Sequence, residues 1–304
     1  MHDINYFHEH ELKGHDFLGC CKDCRTSLNI IKPHILAFAE RIRKYTRKML
    51  EELSPDELYR LYQILDDLAH LDAGEHLAGL ILEEEKISSV LPVIRSYYST
   101  FFSIHEEHLA KQLLGSDNPW ETLKTFPLYA RYEALVKSQM EAMPVAADSA
   151  KVATTAGPGS RLVFIGCGPV PMSLILMNRF HGTKSVGLEG SVGSVELARR
   201  VIQALGLEKG IEIVHGDDAS LQDLDWDVAL VAALAEPKAR IFRNLRKIIR
   251  KRRSAPVIYR TYTGMRAVLY EPVKPADIEG FKIVKKIFPT GRVNNTTVFA
   301  ELDE

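Results

Sequence analysis

Two stretches of the 304-residue chain combine residue types that can do chemistry. In YYSTFFSIHEEHLAKQLLG, Phe102, Leu109 and Leu113 recur at helical spacing, and Glu106 falls on that stripe, four after Phe102 and three before Leu109. A carboxylate on an apolar helix face either pairs with a cation, for which Arg131 is a candidate, or takes part in function. Its neighbour Glu107 faces Lys111 one turn on and is expected in solvent. In VFIGCGPVPMS, residues 163–173, strand-forming residues meet Gly166, Gly168 and Pro169. Glycines after a strand let the backbone turn tightly and approach a nucleotide with no Cβ in the way. Glu189 ends the next strand, where an acid can accept hydrogen bonds from both hydroxyls of a ribose. Asp217, with Asp218, follows the third strand and suits the surroundings of an adenine.

The loop also carries information about phosphate. Pro171 stands where a dinucleotide fingerprint has its third glycine or an alanine, and no Lys or Arg sits in the loop. A stiffer loop with fewer free N–H groups and no cation suits adenosine without phosphate, and S-adenosylmethionine is the ligand of that description.

These residues need elements to hold them. Residues 29–52, 54–83, 86–115 and 120–143 carry apolar positions at three- and four-residue spacing and read as helices. Ser54-Pro55-Asp56-Glu57 is a helix start, with a capping serine, proline in the first turn and acids behind it. Residues 144–160 (PVAADSAKVATTAGPGS) lose all periodicity. Short apolar strands then alternate with helices: strands at 161–166, 184–189, 211–216, 227–234 and 255–262, helices at 171–181, 192–206 and 237–252, and a closing strand pair at 281–288 and 296–302. That alternation specifies an α/β fold, a doubly wound Rossmann-like sheet preceded by an all-α helical domain. The expected layout is residues 1–150 as the helical domain with 1–28 as an extension, 151–160 as a linker, and 161–304 as the S-adenosylmethionine-binding domain.

Composition narrows the class. With 39 Lys+Arg against 40 Asp+Glu, nothing global recruits nucleic acid or an anionic membrane. No apolar run approaches the roughly 20 residues of a membrane span, and the polar stretch MHDINYFHEHELKGHD does not read as a signal peptide, so a cytoplasmic protein is expected. Four cysteines make no disulfide framework. His15, Cys20, Cys21 and Cys24, in HEHELKGHDFLGCCKDC, offer imidazole and thiolate ligands around a C-x₂-C for a structural zinc; an extension with incidental cysteines is the alternative. The basic run 247–253 suits a solvated helix end.

The stretches SDNPWETL (116–123), AALAEPKARIFRNL (232–245), RTYTGMRAVLY (260–270) and RVNNTTV (292–298), with IGCGPVP, resemble the nicotianamine synthase family, especially its archaeal and bacterial branch, over about residues 90–300. The resemblance implies a helical domain closing over a methyltransferase-type sheet. It also implies transfer of the 3-amino-3-carboxypropyl arm of S-adenosylmethionine to an amine, with release of methylthioadenosine and a metal-chelating, nicotianamine-like product. Glu106, counted back from SDNPW, aligns with the family's proton-accepting glutamate, and Tyr132 in PLYARYEAL with its active-site tyrosine; spacing alone makes Tyr132 a core residue beside Tyr129 and Val136. Within the matched stretches Ala233 joins the donor-binding positions. Arg260, Tyr262 and Arg266 follow the fifth strand, at the rim where acceptor carboxylates could lie, with surface ion pairing as the alternative. Asn295 is a further substrate candidate, although Asn294-Asn295 also suits a plain turn. The implied partner is a small amino-acid acceptor: glutamate, histidine or a second S-adenosylmethionine. A homodimer is compatible with all of this. The rivals are a methyltransferase on a small amine and a non-catalytic S-adenosylmethionine-binding sensor.

Overall fold

The computed structural model describes residues 22–143, 160–251 and 255–303. Among them the chain forms two compact units, one of residues up to Phe102 together with Tyr262–Pro272, the other of Ser103–Thr261 together with Val273 onward.

The first unit is helical. It holds α1 (Lys22–Ile42), α2 (Arg47–Glu51), α3 (Pro55–Ala69), α4 (Gly74–Glu83) and the first part of α5 (Glu85–Leu114). At the start of α3 the expected cap is present: Ser54 Oγ accepts from the Glu57 N–H at 3.3 Å, and a Glu57 carboxylate oxygen accepts from the Ser54 N–H at 3.1 Å. The apolar stripes bury Ile35, Leu58, Leu65, Ile81, Ile87 and Ile94. Tyr62 stacks on Phe101 with ring centroids 4.2 Å apart, while its hydroxyl donates to the buried Asp66 at 2.8 Å. The segment 262–272 belongs to this packing, with Tyr262 and Tyr98 hydroxyls 3.2 Å apart and Arg95 donating to the Ala267 carbonyl at 2.9 Å.

The second unit takes the end of α5, α6 (Pro119–Lys124) and α7 (Tyr129–Ala142) together with the sheet. Its strands are β1 (Arg161–Ile165), β2 (Lys184–Glu189), β3 (Ile211–His215), β4 (Val228–Val231), β5 (Val257–Thr261), β6 (Phe281–Ile287) and β7 (Thr296–Leu302); α8 (Met172–His181), α9 (Val192–Ala204) and α10 (Lys238–Lys251) connect them. The order is β3-β2-β1-β4-β5-β7-β6. The first five strands are parallel, and β7 runs antiparallel between β5 and β6. This is a methyltransferase-type variant of the doubly wound sheet, with the strand order reversing beside β1.

Side-chain alternation explains why the central strands are apolar throughout. Val163, Ile165, Val231, Val257 and Tyr259 join Phe242 and Leu245 of α10 in one core, while Leu162, Phe164, Leu230 and Ile258 are buried on the opposite face. The edge strand β6 is exposed over most of its length and carries Lys282, Lys285 and Lys286, charges that discourage pairing with a foreign strand.

Where the chain leaves the second unit at Thr261 and re-enters it at Val273, the Val273 N–H donates to Thr261 Oγ1 at 2.8 Å. Most of the expected linker lies outside the described residues, as do His15, Cys20 and Cys21. No described helix is long and apolar enough to cross a membrane.

Candidate active site

In a sheet of this order, ligands bind outside the carboxyl ends of the strands, where the order reverses. The loop after β1 is there, and its two glycines are needed: Gly166 has φ +79° and Gly168 φ +71°, both in the left-handed region. The Gly166 N–H donates to the Leu188 carbonyl at 2.8 Å, pinning the loop to the end of β2. Glu189, the last residue of β2, then accepts from the Gly168 N–H at 3.0 Å and from the Ser191 N–H at 2.9 Å, one on each carboxylate oxygen. Each oxygen keeps a lone pair for a ribose hydroxyl. Pro169 is buried, and Pro171 is the residue immediately before α8 rather than part of its first turn.

After β3, Asp217 is exposed and caps the following turn through the Ala219 N–H at 3.0 Å, whereas Asp218 is buried and held by Arg240 at 2.7 Å. Asp217 in turn lies 3.4 Å from the same Arg240 guanidinium. After β4, Ala233 lies in a loop organised by a residue that sequence reasoning did not single out. Lys238 is only 5% exposed; its ammonium donates to the Ala233 carbonyl at 3.0 Å and to the Ala235 carbonyl, with the Glu236 carboxylate at 3.4 Å. Burial lowers its pKa, against the raising effect of Glu236.

Glu106 meets the glycine loop after β1 from α5. One carboxyl oxygen accepts from the Tyr132 hydroxyl at 3.3 Å. The other lies so close to Gly168 that a Cβ on that residue would come within 2.8 Å of it. The two residues aligned as proton acceptor and tyrosine therefore sit together, against the glycine loop. Although Glu106 as a residue is half-buried, its carboxyl group is enclosed by protein; burial first, and the negative charge of Glu189 in addition, push its pKa up to about 8 against the opposing Tyr132 hydrogen bond. Glu107 is half-buried too, rather than in solvent, and accepts from Ser103 Oγ at 3.2 Å.

The SDNPW motif explains how the helical corner is held. Asn118 caps α6 through the Glu121 N–H at 3.4 Å, the Trp120 indole donates to the Leu205 carbonyl at 3.2 Å, and the Arg179 guanidinium lies 5.0 Å from the centre of the Trp120 ring. These contacts fix α6 to the helices flanking β2. Behind Glu106, the buried His105 packs its ring on Phe126, and burial pushes its pKa down to about 4.

The acceptor candidates fall on different elements. Arg260 is a β5 residue, 4% exposed, that donates to Ser173 Oγ of α8 at 2.8 Å and to Gln139 Oε1 of α7 at 3.1 Å, with the Phe164 ring 5.5 Å away. Period-2 alternation places it opposite Tyr259 and inside the sheet–helix layer, so it is not a rim residue. Tyr262 and Arg266 belong to the first unit. Asn295 is half-buried just before β7. The zinc expectation finds no support: of its four ligands only Cys24 is described, and among the described residues no three His, Cys, Asp or Glu side chains come together to hold a metal.

Sheet order, glycine loop and terminal acid define a Rossmann-like protein of the methyltransferase type, with a glutamate–tyrosine pair placed on the glycine loop. The family described as "Nicotianamine synthase protein" matches residues 32–304, and the chain belongs to that family. The match takes in the first-unit helices that carry no recognisable motif. Rice (Oryza sativa subsp. indica) nicotianamine synthase 3 is 27% identical over 207 residues, 64% of this chain and 58% of the rice protein. Nicotianamine synthase 2 of Arabidopsis thaliana is 30% identical over 206 residues, 64% of this chain and 61% of that one. The chain thus spans about six-tenths of the length of these plant relatives. A crystal structure of a glutamate-to-glutamine mutant of MtNAS in complex with S-adenosylmethionine is 32% identical, with a TM-score of 0.78, and covers 94% of this chain and 100% of its own. MtNAS has also been crystallised in complex with MTA and tNA.

Proposed function

We propose that the protein transfers the 3-amino-3-carboxypropyl arm of S-adenosylmethionine to the amine of a small amino acid, releasing methylthioadenosine and making a nicotianamine-like chelator. The observation that carries this reading is the Glu106–Tyr132 pair against Gly168, beside the acid that would hold the ribose. A sulfonium has three electrophilic carbons, and methyl transfer is the intrinsically easier reaction, so orientation must select the arm, with the attacking nitrogen in line at about 3–3.5 Å. Attack forms the N–C bond, breaks the S–C bond and leaves its electron pair on a neutral sulfur. The acceptor nitrogen sheds a proton, and Glu106 is placed to take it, with Tyr132 holding the carboxylate and orienting the amine. Membership in the family supports this reading, as do the MtNAS complexes with S-adenosylmethionine and with MTA, the usual abbreviation of methylthioadenosine.

Glu189 would hold the donor's ribose and Asp217 its adenine, with Gly166, Gly168, Pro169 and Ala233 forming the walls. Glu189→Ala removes two charge-assisted ribose contacts and the tie between the Gly168 and Ser191 N–H groups. Calorimetry should show S-adenosylmethionine binding weakened by about 3 kcal/mol; unchanged affinity would place the adenosine elsewhere. The acceptor is glutamate, histidine or a second S-adenosylmethionine. Mass spectrometry of reactions with each amino acid, and with none added, distinguishes the three by product mass. S-adenosylhomocysteine as the only nucleoside product would make the protein a methyltransferase instead.

A further inference from the structure

We propose that the Glu106–Glu189 pair, which meets Gly168 from two sides, is a charge selector for the donor's sulfur: the pair keeps a proton while a neutral thioether occupies the site and gives it up to solvent when a sulfonium does. This rests on the transfer reading above and adds to it a rule for how donor and spent nucleoside are told apart.

The two carboxylates are supported unequally. Glu189 receives two backbone N–H groups, one on each oxygen. Glu106 receives one neutral hydroxyl at 3.3 Å, and its second oxygen abuts Gly168. When one of the two must be neutral, Glu106 is the one that takes the proton, in keeping with its raised pKa of about 8. Among the described residues, the groups that act on its carboxyl bring no positive charge: Tyr132 of α7 is a neutral donor and Glu189 a like charge, while Cys167 of the glycine loop is a buried thiol whose pKa burial raises. On α5 itself, His105 is held neutral. The charge that can stabilise an ionised Glu106 therefore comes from the ligand, and a sulfonium is a fixed cation independent of pH.

The cycle then balances. Transfer turns the sulfonium into a thioether and passes one proton from the acceptor nitrogen to Glu106. With neutral sulfur beside it the carboxyl stays protonated, and the arriving sulfonium of the next donor expels that proton. Affinity for S-adenosylmethionine should rise about tenfold from pH 7 to pH 9, as the cost of deprotonating Glu106 falls, while affinity for methylthioadenosine stays level.

The test is calorimetry of the full-length protein at pH 7 in phosphate and in Tris, buffers of different ionisation enthalpy, with S-adenosylmethionine and S-adenosylhomocysteine. The two ligands share the adenosine and the amino-acid tail and differ in the methyl group and the charge on sulfur. The expected result is release of close to one proton per S-adenosylmethionine bound and almost none with S-adenosylhomocysteine. In Glu106→Gln, S-adenosylmethionine should still bind, with the release gone. Binding of S-adenosylmethionine without proton release, equal release with both ligands, or release that survives in Glu106→Gln overturns the selector and leaves the transfer reading standing. Failure of both ligands to bind overturns both.

Discussion

Glu106→Gln is expected to lower kcat by about 10²-fold or more while S-adenosylmethionine still binds at pH 7. Glutamine keeps the size of the side chain and its bond to Tyr132 but cannot accept the proton of the acceptor amine. The loss should shrink at high pH, where more of the amine is already neutral. Stability supplies a control with a definite sign. Glu106 has a folded pKa of about 8 against an ordinary 4.5, so the folded state holds a proton that the unfolded state releases between those values. Its contribution to stability falls as pH rises through that window, because more protons are bound when folded. The glutamine variant should therefore be at least as stable as wild type at pH 8, and a loss of activity cannot be ascribed to unfolding. Tyr132→Phe should cost less, and the double mutant should be less than additive, since both side chains act on one nitrogen. Glu107→Gln, which changes a carboxylate bonded to Ser103, should turn over like wild type. Equal losses at the two glutamates in steady-state assays would put the base elsewhere.

Gly168→Ala is expected to lose at least about tenfold in kcat, through two effects that a control can separate. The backbone at Gly168 has φ +71°, where an L side chain costs about 1 kcal/mol. In addition, the new Cβ would lie 2.8 Å from the Glu106 carboxylate, which must move and so lose its alignment with Tyr132. Gly182, behind α8, has nearly the same conformation, φ +65°, but a Cβ there meets nothing within 4 Å. Gly182→Ala should thus carry the backbone cost alone and keep full activity. If both variants are equally active, close approach of Glu106 to the loop plays no part in turnover.

The readable parts of this fold are those where one local rule decides. Gly166 and Gly168 follow β1 because glycine takes the loop's left-handed backbone without strain, and Glu189 ends β2, where its carboxylate ties the Gly168 and Ser191 N–H groups together. Glu106 stood out because a carboxylate interrupts an apolar stripe. The rule failed where tertiary packing or a short turn decides. The apolar pattern of 54–83 runs on through His70–Ala73, yet the chain breaks there and restarts at Gly74 with φ +59°; the pattern of 29–52 breaks before Thr46, which caps α2. The expected strand 227–234 ends at Val231, because the next residues turn to wrap the Lys238 ammonium. A lysine after Glu-Pro looks like a solvated charge, and only the three-dimensional loop reveals it as the organiser of Ala233. Nor does composition change between Phe102 and Ser103, where a continuous helix passes from one compact unit to the other.

The central claim is that the arm leaves the sulfur and the methyl group stays. The most direct measurement is a single turnover with S-adenosylmethionine carrying carbon-13 in its S-methyl group and deuterium in its aminocarboxypropyl arm, followed by mass spectrometry of both products. The predicted result is carbon-13 retained in methylthioadenosine and deuterium in the amine product. Carbon-13 on the acceptor, with deuterium left in S-adenosylhomocysteine, would contradict the account.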